Sequence, residues 1–200
     1  MKIILIGASG TIGHAVGQAL SKRHEILRVG RSGGDLRADI ADPDALRALF
    51  GTAAPYDAVV CAAGLAAFGE LDSLNDDAFQ LGLSSKLMGQ VNLVRLGLSG
   101  ITDGGSFTLT SGVLSQQPIP GSSAISMVNA GVEAFVRAAA LEMPRGVRVN
   151  VVSPPWVRET LEAMGRDPSP GRLAAAVAKA YVDSVQGGMT GTVIDARAYA

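Results

Sequence analysis

The sequence predicts one doubly wound α/β domain built around a mainly parallel sheet. Short apolar runs typical of buried strands alternate with helical patterns, and a glycine-rich turn joins the first strand to the first helix. The length of 200 residues, of which 48% are hydrophobic and 18% charged, suits a single globular core. No internal repeat, low-complexity tract or long linker divides the sequence. Residues 1–200 are therefore expected to form one domain.

Net charge and cysteine content limit the kinds of partner and the cellular compartment expected for this protein. The net charge of −1 gives no electrostatic reason to expect nucleic acid or an anionic membrane surface as a partner. The single cysteine, Cys61, excludes an internal disulfide and is compatible with a reducing cytoplasm. Lys2 leads directly into an apolar strand without a signal-peptide pattern, and no apolar run reaches the length of a membrane span. A soluble cytoplasmic protein is expected.

The first strand, Ile3–Ile6, runs into the glycine-rich turn Gly7–Gly13 and then into an amphipathic helix. Gly7 is expected to make the turn, Gly10 to let a pyrophosphate approach the backbone, and Gly13 to let helix and strand pack closely. The spacing G-x-x-G-x-x-G differs by one residue from the usual dinucleotide-binding pattern, so a tight turn without a ligand stays open as an alternative. The residues expected to contact a dinucleotide here are Gly7, Ser9, Gly10, Thr11, Ile12 and Gly13.

The second strand, Glu25–Gly30, ends in Arg31 and Ser32, where the adenosine ribose of a bound dinucleotide would lie. An acidic residue at this place would bind the two ribose hydroxyls of NAD. An arginine beside a serine instead offers charge-assisted hydrogen bonds to a 2′-phosphate. These residues favour NADP(H), with NAD(H) still possible, and the alternative is that Arg31 is a solvated loop residue.

The third strand must be short or irregular, because too few residues separate Arg31 from Asp35–Ile40 for the usual crossover helix. Asp39 is expected near the adenine, and a helix-capping role for Asp39 or Asp42 is an equal alternative. Pro43 directly after Asp42 is typical of the first turn of a helix.

The remainder of the chain continues the alternation of strands and helices. Small side chains after the fourth strand leave room for a cofactor, and Pro154-Pro155 ends the sixth strand. The expected elements are helix 44–50, strand 58–61, helix 76–98, strand 106–111, helix 124–142, strand 147–153, helix 170–185 and strand 191–194. This order predicts a Rossmann-fold core.

Four stretches together resemble the short-chain dehydrogenase/reductase family, and the resemblance covers nearly the whole chain. They are Gly7–Gly13, the turn Cys61–Gly64 in place of Asn-Asn-Ala-Gly, the strand Thr108–Ser111, and Arg148–Pro154. The resemblance implies a nicotinamide cofactor lying across the carboxyl ends of the strands and a hydride passed to or from a carbonyl carbon. It also implies contacts of the cofactor with Ala62, Ala63, Gly64, Pro154, Val157 and Thr160. Trp156, in a loop that departs from the usual Pro-Gly turn, either covers the nicotinamide or serves packing.

The catalytic positions depart from the family pattern. In the family a tyrosine transfers the proton, a lysine lowers the pKa of that tyrosine, a serine holds the substrate oxygen, and an asparagine supports a water. Ser111 stands at the position of the family's serine. The alternative is that its hydroxyl merely hydrogen-bonds to the backbone at the end of the strand. The Tyr-x-x-x-Lys pair is replaced by Ile125 and Asn129, while Lys86 falls where the family has asparagine.

A swap of lysine and asparagine between facing helices is therefore a hypothesis, with Lys86 supplying the charge and Asn129 the amide. The alternative is a surface lysine and a satisfied core or cap asparagine. No tyrosine replaces the missing one: Tyr56, Tyr181 and Tyr199 are not expected to reach the site. A relay from Ser111 through water to Lys86 is conceivable.

The sequence thus favours an NADP(H)-preferring oxidoreductase with an altered catalytic site and a small carbonyl or alcohol substrate. The alternatives are a non-catalytic NAD(P)-binding sensor and a scaffold that has lost its cofactor. By the resemblance, a homodimer or homotetramer is expected to form through the two long helices. His14 and His24 lack partners at metal-ligand spacing, and no metal site is expected.

Overall fold

The computed structural model describes residues 1–200 and contains a seven-stranded sheet in the order β3-β2-β1-β4-β5-β6-β7. Every neighbouring pair of strands is parallel. The strands are β1 (Lys2–Ile6), β2 (Glu25–Gly30), β3 (Leu36–Arg37), β4 (Tyr56–Cys61), β5 (Ile101–Thr110), β6 (Arg148–Ser153) and β7 (Val193–Asp195). The doubly wound, Rossmann-like fold predicted from the alternating pattern is confirmed.

Helices cover both faces of the sheet. They are α1 (Thr11–Leu20), α2 (Pro43–Ala53), α3 (Asp76–Leu81), a π-helical segment (Gly82–Met88), α4 (Gly89–Gly97), α5 (Ser123–Ala139), α6 (Arg158–Ala163) and α7 (Ala174–Gln186). Short 3₁₀ turns follow β5 and β7 at Val113–Ser115 and Ala196–Ala198. None of these helices has the length and apolarity to cross a membrane.

Strand β1 lies at the centre because its side chains are apolar on both faces. Ile3, Ile4 and Leu5 have no exposed surface, and they alternate between two separate hydrophobic clusters. One cluster packs α2, α4 and α5 on the sheet, and the other packs α1 and α7 on the opposite face. Because helices cover both faces of this strand, its side chains are apolar on both faces, and the sequence shows no alternation of apolar and polar residues here.

The short connection between β2 and β3 has the form expected from the sequence. Strand β3 has two residues, Leu36 and Arg37, and no helix precedes it. Helix α2 then begins at Pro43, and the Asp42 carboxylate caps it by accepting hydrogen bonds from the backbone N–H groups of Asp44 and Ala45. Of the two candidate capping residues, Asp42 therefore has that role.

Several boundaries differ from those expected. The single helix expected over 76–98 is interrupted by the π-helical segment, and α7 begins at Ala174 rather than at residue 170. Helix α6, Arg158–Ala163, was not expected at all. It has only six residues, fewer than two turns, and Leu161 is its one buried side chain, so the sequence carries no recognisable helical periodicity here.

The strand order reverses direction at β1, whose neighbours are β2 on one side and β4 on the other. In open α/β sheets, ligands bind in the crevice outside the carboxyl ends of the strands at such a reversal. The glycine turn after β1 and the small-residue turn after β4 both open at this place. The fold therefore positions the predicted cofactor residues along one edge of the sheet.

Candidate active site and cofactor groove

A groove of about 400 Å³ lies outside the carboxyl ends of β1, β2 and β4. Nine of the residues predicted to hold a dinucleotide line it together: Gly7, Ser9, Gly10, Arg31, Ser32, Asp39, Ala62, Ala63 and Gly64. They come from loops far apart in sequence. The remaining groove residues include Ile40, Leu65 and Ser85.

Close contacts within the protein require glycine at two of the three glycine positions of the first turn. Gly7 has a φ of +80°, and a Cβ on it would lie 2.7 Å from the carbonyl oxygen of Ala62. A Cβ on Gly13 would collide with the carbonyl group of Gly7. Gly10 differs, since its φ is −76° and the nearest atom to an added Cβ would be 3.4 Å away. Steric need within the protein therefore explains Gly7 and Gly13 but not Gly10.

Helix α1 leaves its N-terminal N–H groups open toward the groove. Gly10 is the N-cap, no side chain caps the helix, and its first turn contains no acidic residue. Unpaired N–H groups and the helix dipole together favour an anion such as a pyrophosphate. The predicted contacts Thr11, Ile12 and Gly13 form this first turn rather than the wall of the groove.

Arg31 and Ser32 follow β2 directly and are exposed at the groove. Neither side chain makes a hydrogen bond or an ion pair within the protein. Asp39, on the same side, accepts a hydrogen bond of 2.9 Å from the backbone N–H of Ala41. The guanidinium and the hydroxyl are therefore free to bind a phosphate on an adenosine ribose.

A second cavity of about 140 Å³ lies beyond the carboxyl ends of β5 and β6. Its walls are mainly apolar and small, and they are formed by Ser111, Gly112, Val113, Leu114, Ile125, Asn129, Pro154, Pro155 and Trp156. Asn129 is 1% exposed, and its Oδ1 has no hydrogen-bond partner. Buried polar atoms without a partner are rare, so this oxygen fits a donor supplied by a ligand. It is not the satisfied core asparagine of the alternative reading.

Ser111 lines this cavity, but its hydroxyl is bound to Glu133 of α5. The Oγ donates to Glu133 Oε1 at 2.9 Å, and Ser115 donates to the same oxygen at 2.6 Å. Glu133 is 3% exposed, and its other oxygen lies 3.5 Å from the Arg137 guanidinium. This network fixes the loop after β5 against α5.

Lys86 lies in the π-helical segment and is 8% exposed, so it is not a surface lysine. Burial lowers the pKa of its ammonium group to about 8, an effect that the nearby Cys61 partly offsets. Its side chain packs against Gly64, where φ is +139° and an added Cβ would lie 3.1 Å from Lys86 Cγ. Lys86 thus sits directly behind the wall of the groove.

The helices that carry Lys86 and Asn129 face each other. An added Cβ on Gly82 would lie 3.2 Å from Val128 Cγ1, and one on Gly131 would lie 3.0 Å from Leu87 Cδ1. Small residues thus let the π-helical segment approach α5 closely. The structure brings the two elements of the hypothesised swap together, with Asn129 in the cavity and Lys86 beside the groove.

The loop after β6 contributes Pro154 and Trp156 to the cavity. Val157 is buried at the start of α6, and Thr160 is half-buried within that helix. The Arg166 guanidinium stacks over the Trp156 ring at 5.5 Å from its centroid. Trp156 therefore both packs and borders the cavity.

All three tyrosine hydroxyls are bonded away from the cavity. Tyr181 shares a hydrogen bond of 2.6 Å with Thr110, Tyr56 donates to the Gly97 carbonyl at 2.6 Å, and Tyr199 donates to Asp183 at 2.8 Å. Burial raises the pKa of Tyr56 and Tyr181 well above the ordinary value. None of them is placed to exchange a proton with a ligand in the cavity.

Gln90 and Glu133 fix the elements around the cavity, and the sequence did not predict a role for either residue. The fully buried Gln90 side chain donates to the carbonyls of Lys86 and Thr110 and accepts from the N–H of Thr110. A polar residue on the buried face of a helix could have identified them. Glu133, for example, follows Asn129 by one helical turn and lies on the same buried face. His14 pairs only with Gln18 at the surface, and no cluster of His, Cys, Asp and Glu suited to a metal ion is present.

Residues 11–190 match the model of the enoyl-(acyl carrier protein) reductase family. A crystal structure of protein lin1944 from Listeria innocua is 41% identical, with a TM-score of 0.94 over 98% of each chain. A small-chain dehydrogenase in complex with NADPH is 27% identical, with a TM-score of 0.86 over 98% of this chain and 95% of that one. Short-chain dehydrogenase/reductase malC of Malbranchea aurantiaca is 37% identical over 109 residues, or 46% of this chain and only 41% of its own length. With its parallel sheet and glycine turn, the chain belongs to the short-chain dehydrogenase/reductase family.

Proposed function

We propose that this protein is an NADP(H)-preferring oxidoreductase that interconverts a small carbonyl compound and its alcohol through an altered catalytic site. The observation that carries the proposal is the groove, in which the glycine turn and the unpartnered Arg31 and Ser32 face the same space. The relative of known structure in complex with NADPH supports the cofactor class. The proposal includes a cytoplasmic location, in keeping with the single, buried and unpaired Cys61.

The residues present fit a nicotinamide dinucleotide, which when bound supplies or accepts a hydride. The α1 N–H groups after Gly10 would hold the pyrophosphate, and Arg31 with Ser32 would hold the 2′-phosphate. The Asn129 Oδ1, which has no partner within the protein, accepts a hydrogen bond from a hydroxyl or amide donor near the reacting end. These contacts fix the orientation on which hydride transfer depends.

Proton transfer differs from the family pattern, because Ile125 replaces the tyrosine and Ser111 is bonded to Glu133. Lys86 is the ionisable group best matched to a proton donor, since its pKa of about 8 lies near neutrality. We infer that it acts through water from behind Gly64. General acid–base help contributes about 10²–10⁴-fold, so a relayed proton gives slow turnover rather than none.

A second candidate function is favoured by the same cavity. Ile125, Pro154 and Leu114 offer no proton donor, and Trp156 partly encloses the space. A protein that binds NADP(H) without catalysing a reaction would not need a proton donor in this cavity. In that case cofactor occupancy changes the surface presented to a partner.

Calorimetric titration of the purified protein with NADPH and with NADH tests the proposal. NADPH is expected to bind more tightly, and Arg31→Ala should weaken NADPH by about tenfold or more while changing NADH little, because only NADPH carries the 2′-phosphate. Arg28→Ala removes an exposed charge from the same strand outside the groove and serves as the matched control.

The outcomes separate the candidates. Absence of binding to either cofactor would refute both, and equal effects of Arg31→Ala on the two cofactors would remove the NADP(H) preference. NADPH binding without NADPH oxidation across a panel of small aldehydes, ketones and keto acids would favour the non-catalytic reading. Turnover that Lys86→Ala slows, with NADPH affinity retained, would support Lys86 as the proton donor.

A further inference from the structure

A pocket of about 340 Å³ lies beside the cavity that Trp156 borders, off the ends of β6 and β7. It is lined by Pro155, Arg158, Ser169, Pro170, Gly171, Arg172 and Arg197, and is called the arginine pocket below. Pro155 lines both spaces, so the arginine pocket and the cavity adjoin at this residue.

Two of its three guanidinium groups have no acidic partner. Arg197 is neutralised by Asp195, with contacts of 2.6–3.0 Å. Arg158 forms no side-chain hydrogen bond or ion pair, and Arg172 contacts only the carbonyl oxygen of Arg197, at 3.3 Å. Asp167 on the adjoining loop is bonded to Ser169 and does not line the pocket.

The backbone holds these two arginines side by side. Arg158 N–H donates to the Arg172 carbonyl at 2.8 Å, and Arg172 N–H donates to the Trp156 carbonyl at 2.8 Å. The approach needs Gly171, on which a Cβ would lie 2.7 Å from the Cα of Arg158. Both side chains line the same pocket, and neither forms an ion pair with a carboxylate, so the pocket favours an anion.

Resting on the proposed oxidoreductase function, we propose that the arginine pocket binds the carboxylate or phosphate of an anionic carbonyl substrate whose reacting carbon occupies the adjacent cavity. The guanidinium fork matches both oxyanions by paired hydrogen bonds. The small, mostly apolar cavity takes the uncharged part of the molecule. The anionic group thus anchors a substrate that the cavity alone is too small to hold firmly.

Trp156 is the only tryptophan in the chain and borders the cavity, so its fluorescence reports occupancy. The protein without cofactor is titrated with levulinate, with its neutral amide levulinamide, and with inorganic phosphate. Levulinate or phosphate is expected to change the fluorescence saturably, while levulinamide binds at least about tenfold more weakly. Binding by levulinate alone assigns a carboxylate substrate, and binding by phosphate alone assigns a phosphate ester.

The double variant Arg158→Gln/Arg172→Gln should weaken anion binding by about tenfold or more. Both side chains are exposed, so the fold should be retained, as circular dichroism verifies. Lys22→Gln/Arg23→Gln removes the same charge from an exposed turn remote from the pocket and should leave binding unchanged.

Equal binding of levulinate and levulinamide with no phosphate binding, or equal losses in the two double variants, would overturn the proposal. So would loss of NADPH affinity in Arg158→Gln/Arg172→Gln, since the arginines would then bind a cofactor phosphate. The anion titration uses no cofactor. A wild-type protein that binds levulinate but not NADPH would therefore refute the proposed function while leaving the anion site standing.

Discussion

Lys86 shows how a single residue acquires an unusual environment. The stem of its side chain packs against Gly64, and its ammonium group interacts with Cys61 and forms no ion pair with an acidic residue. Burial of a charge without a partner is costly, and the pKa of about 8 reflects that cost because the neutral form is favoured. A buried cation beside a cofactor groove is a functional-site candidate on physical grounds alone.

The pH dependence of stability tests this environment. The folded-state pKa of Lys86, about 8, lies below the ordinary lysine value of 10.5, so the unfolded chain binds more protons between these two pH values. The free energy of unfolding of the wild type should therefore rise by up to about 3 kcal/mol, relative to Lys86→Met, from about pH 7 to about pH 10. Urea denaturation of both proteins at several pH values measures the difference.

Lys86→Met is the matched comparison because methionine keeps an unbranched side chain of similar length and removes the charge. Burial also raises the pKa of the Cys61 thiol to about 11, which works in the opposite direction above about pH 9 in both proteins. The difference between the two proteins reports Lys86 together with its electrostatic coupling to the Cys61 thiol. Parallel pH profiles would mean that the ammonium is solvated.

At the scale of elements, the turn from β1 to α1 combines two separate demands on glycine. Gly7 and Gly13 permit the close packing of backbone on backbone, whereas Gly10 has an ordinary φ and no tight neighbour. A function in ligand binding therefore accounts for Gly10 better than a structural one does. This distinction can be measured.

Gly13→Ala should lower the free energy of unfolding by about 2 kcal/mol or more, because its Cβ meets the Gly7 carbonyl and pushes α1 away from β1. Gly10→Ala should change stability by less than about 1 kcal/mol and still weaken NADPH binding, since its methyl group occupies the approach of the pyrophosphate. Chemical denaturation and calorimetry on both variants provide the readouts. Unchanged NADPH affinity in Gly10→Ala would place the pyrophosphate elsewhere.

The π-helical segment has no recognisable sequence pattern, yet it carries Lys86 and Ser85 to the wall of the groove. This segment buries Lys86 and Ser85 against Gly64 and Leu65, and the Leu65 N–H donates to Ser85 Oγ at 3.0 Å. Interruptions of this kind often occur at functional sites. Gln90, in the next turn, ties the segment to the end of β5.

At the scale of the whole molecule, we expect a homodimer or homotetramer. The two helical elements predicted to form the interface carry exposed apolar side chains: Leu81 is 41% exposed, Met88 42% and Met127 43%. Apolar groups clustered on one surface often mark an interface. Light scattering should therefore give a mass of at least two chains.

Met127→Glu should shift the mass toward the monomer by placing a charge in that interface. Met164→Glu, at an exposed methionine in the loop after α6, is the control and should leave the assembly intact. A monomeric mass for the wild type would contradict the expectation. Equal effects of the two variants would point to a general charge effect.

The fold was predictable because its signals are local. The apolar run of β1, the cap and proline at Asp42 and Pro43, and the missing crossover after Arg31 each depend on neighbours in sequence, and each is confirmed. Helix α6 was missed because six residues hold too little periodicity. The break in the long helix was missed because local propensity does not distinguish π from α geometry.

The sequence by itself determined the family, the doubly wound sheet and nine of the residues that line the groove, because these follow from the glycine spacing and from the order of strands and helices along the chain. Only the tertiary structure decided how each polar group is used. It buries Lys86 behind Gly64, binds Ser111 to Glu133, leaves Asn129 Oδ1 unpaired in the cavity, and brings Arg158 beside Arg172. These outcomes depend on contacts between side chains that are far apart in sequence. Such contacts decide which polar groups are buried and which hydrogen bonds they form.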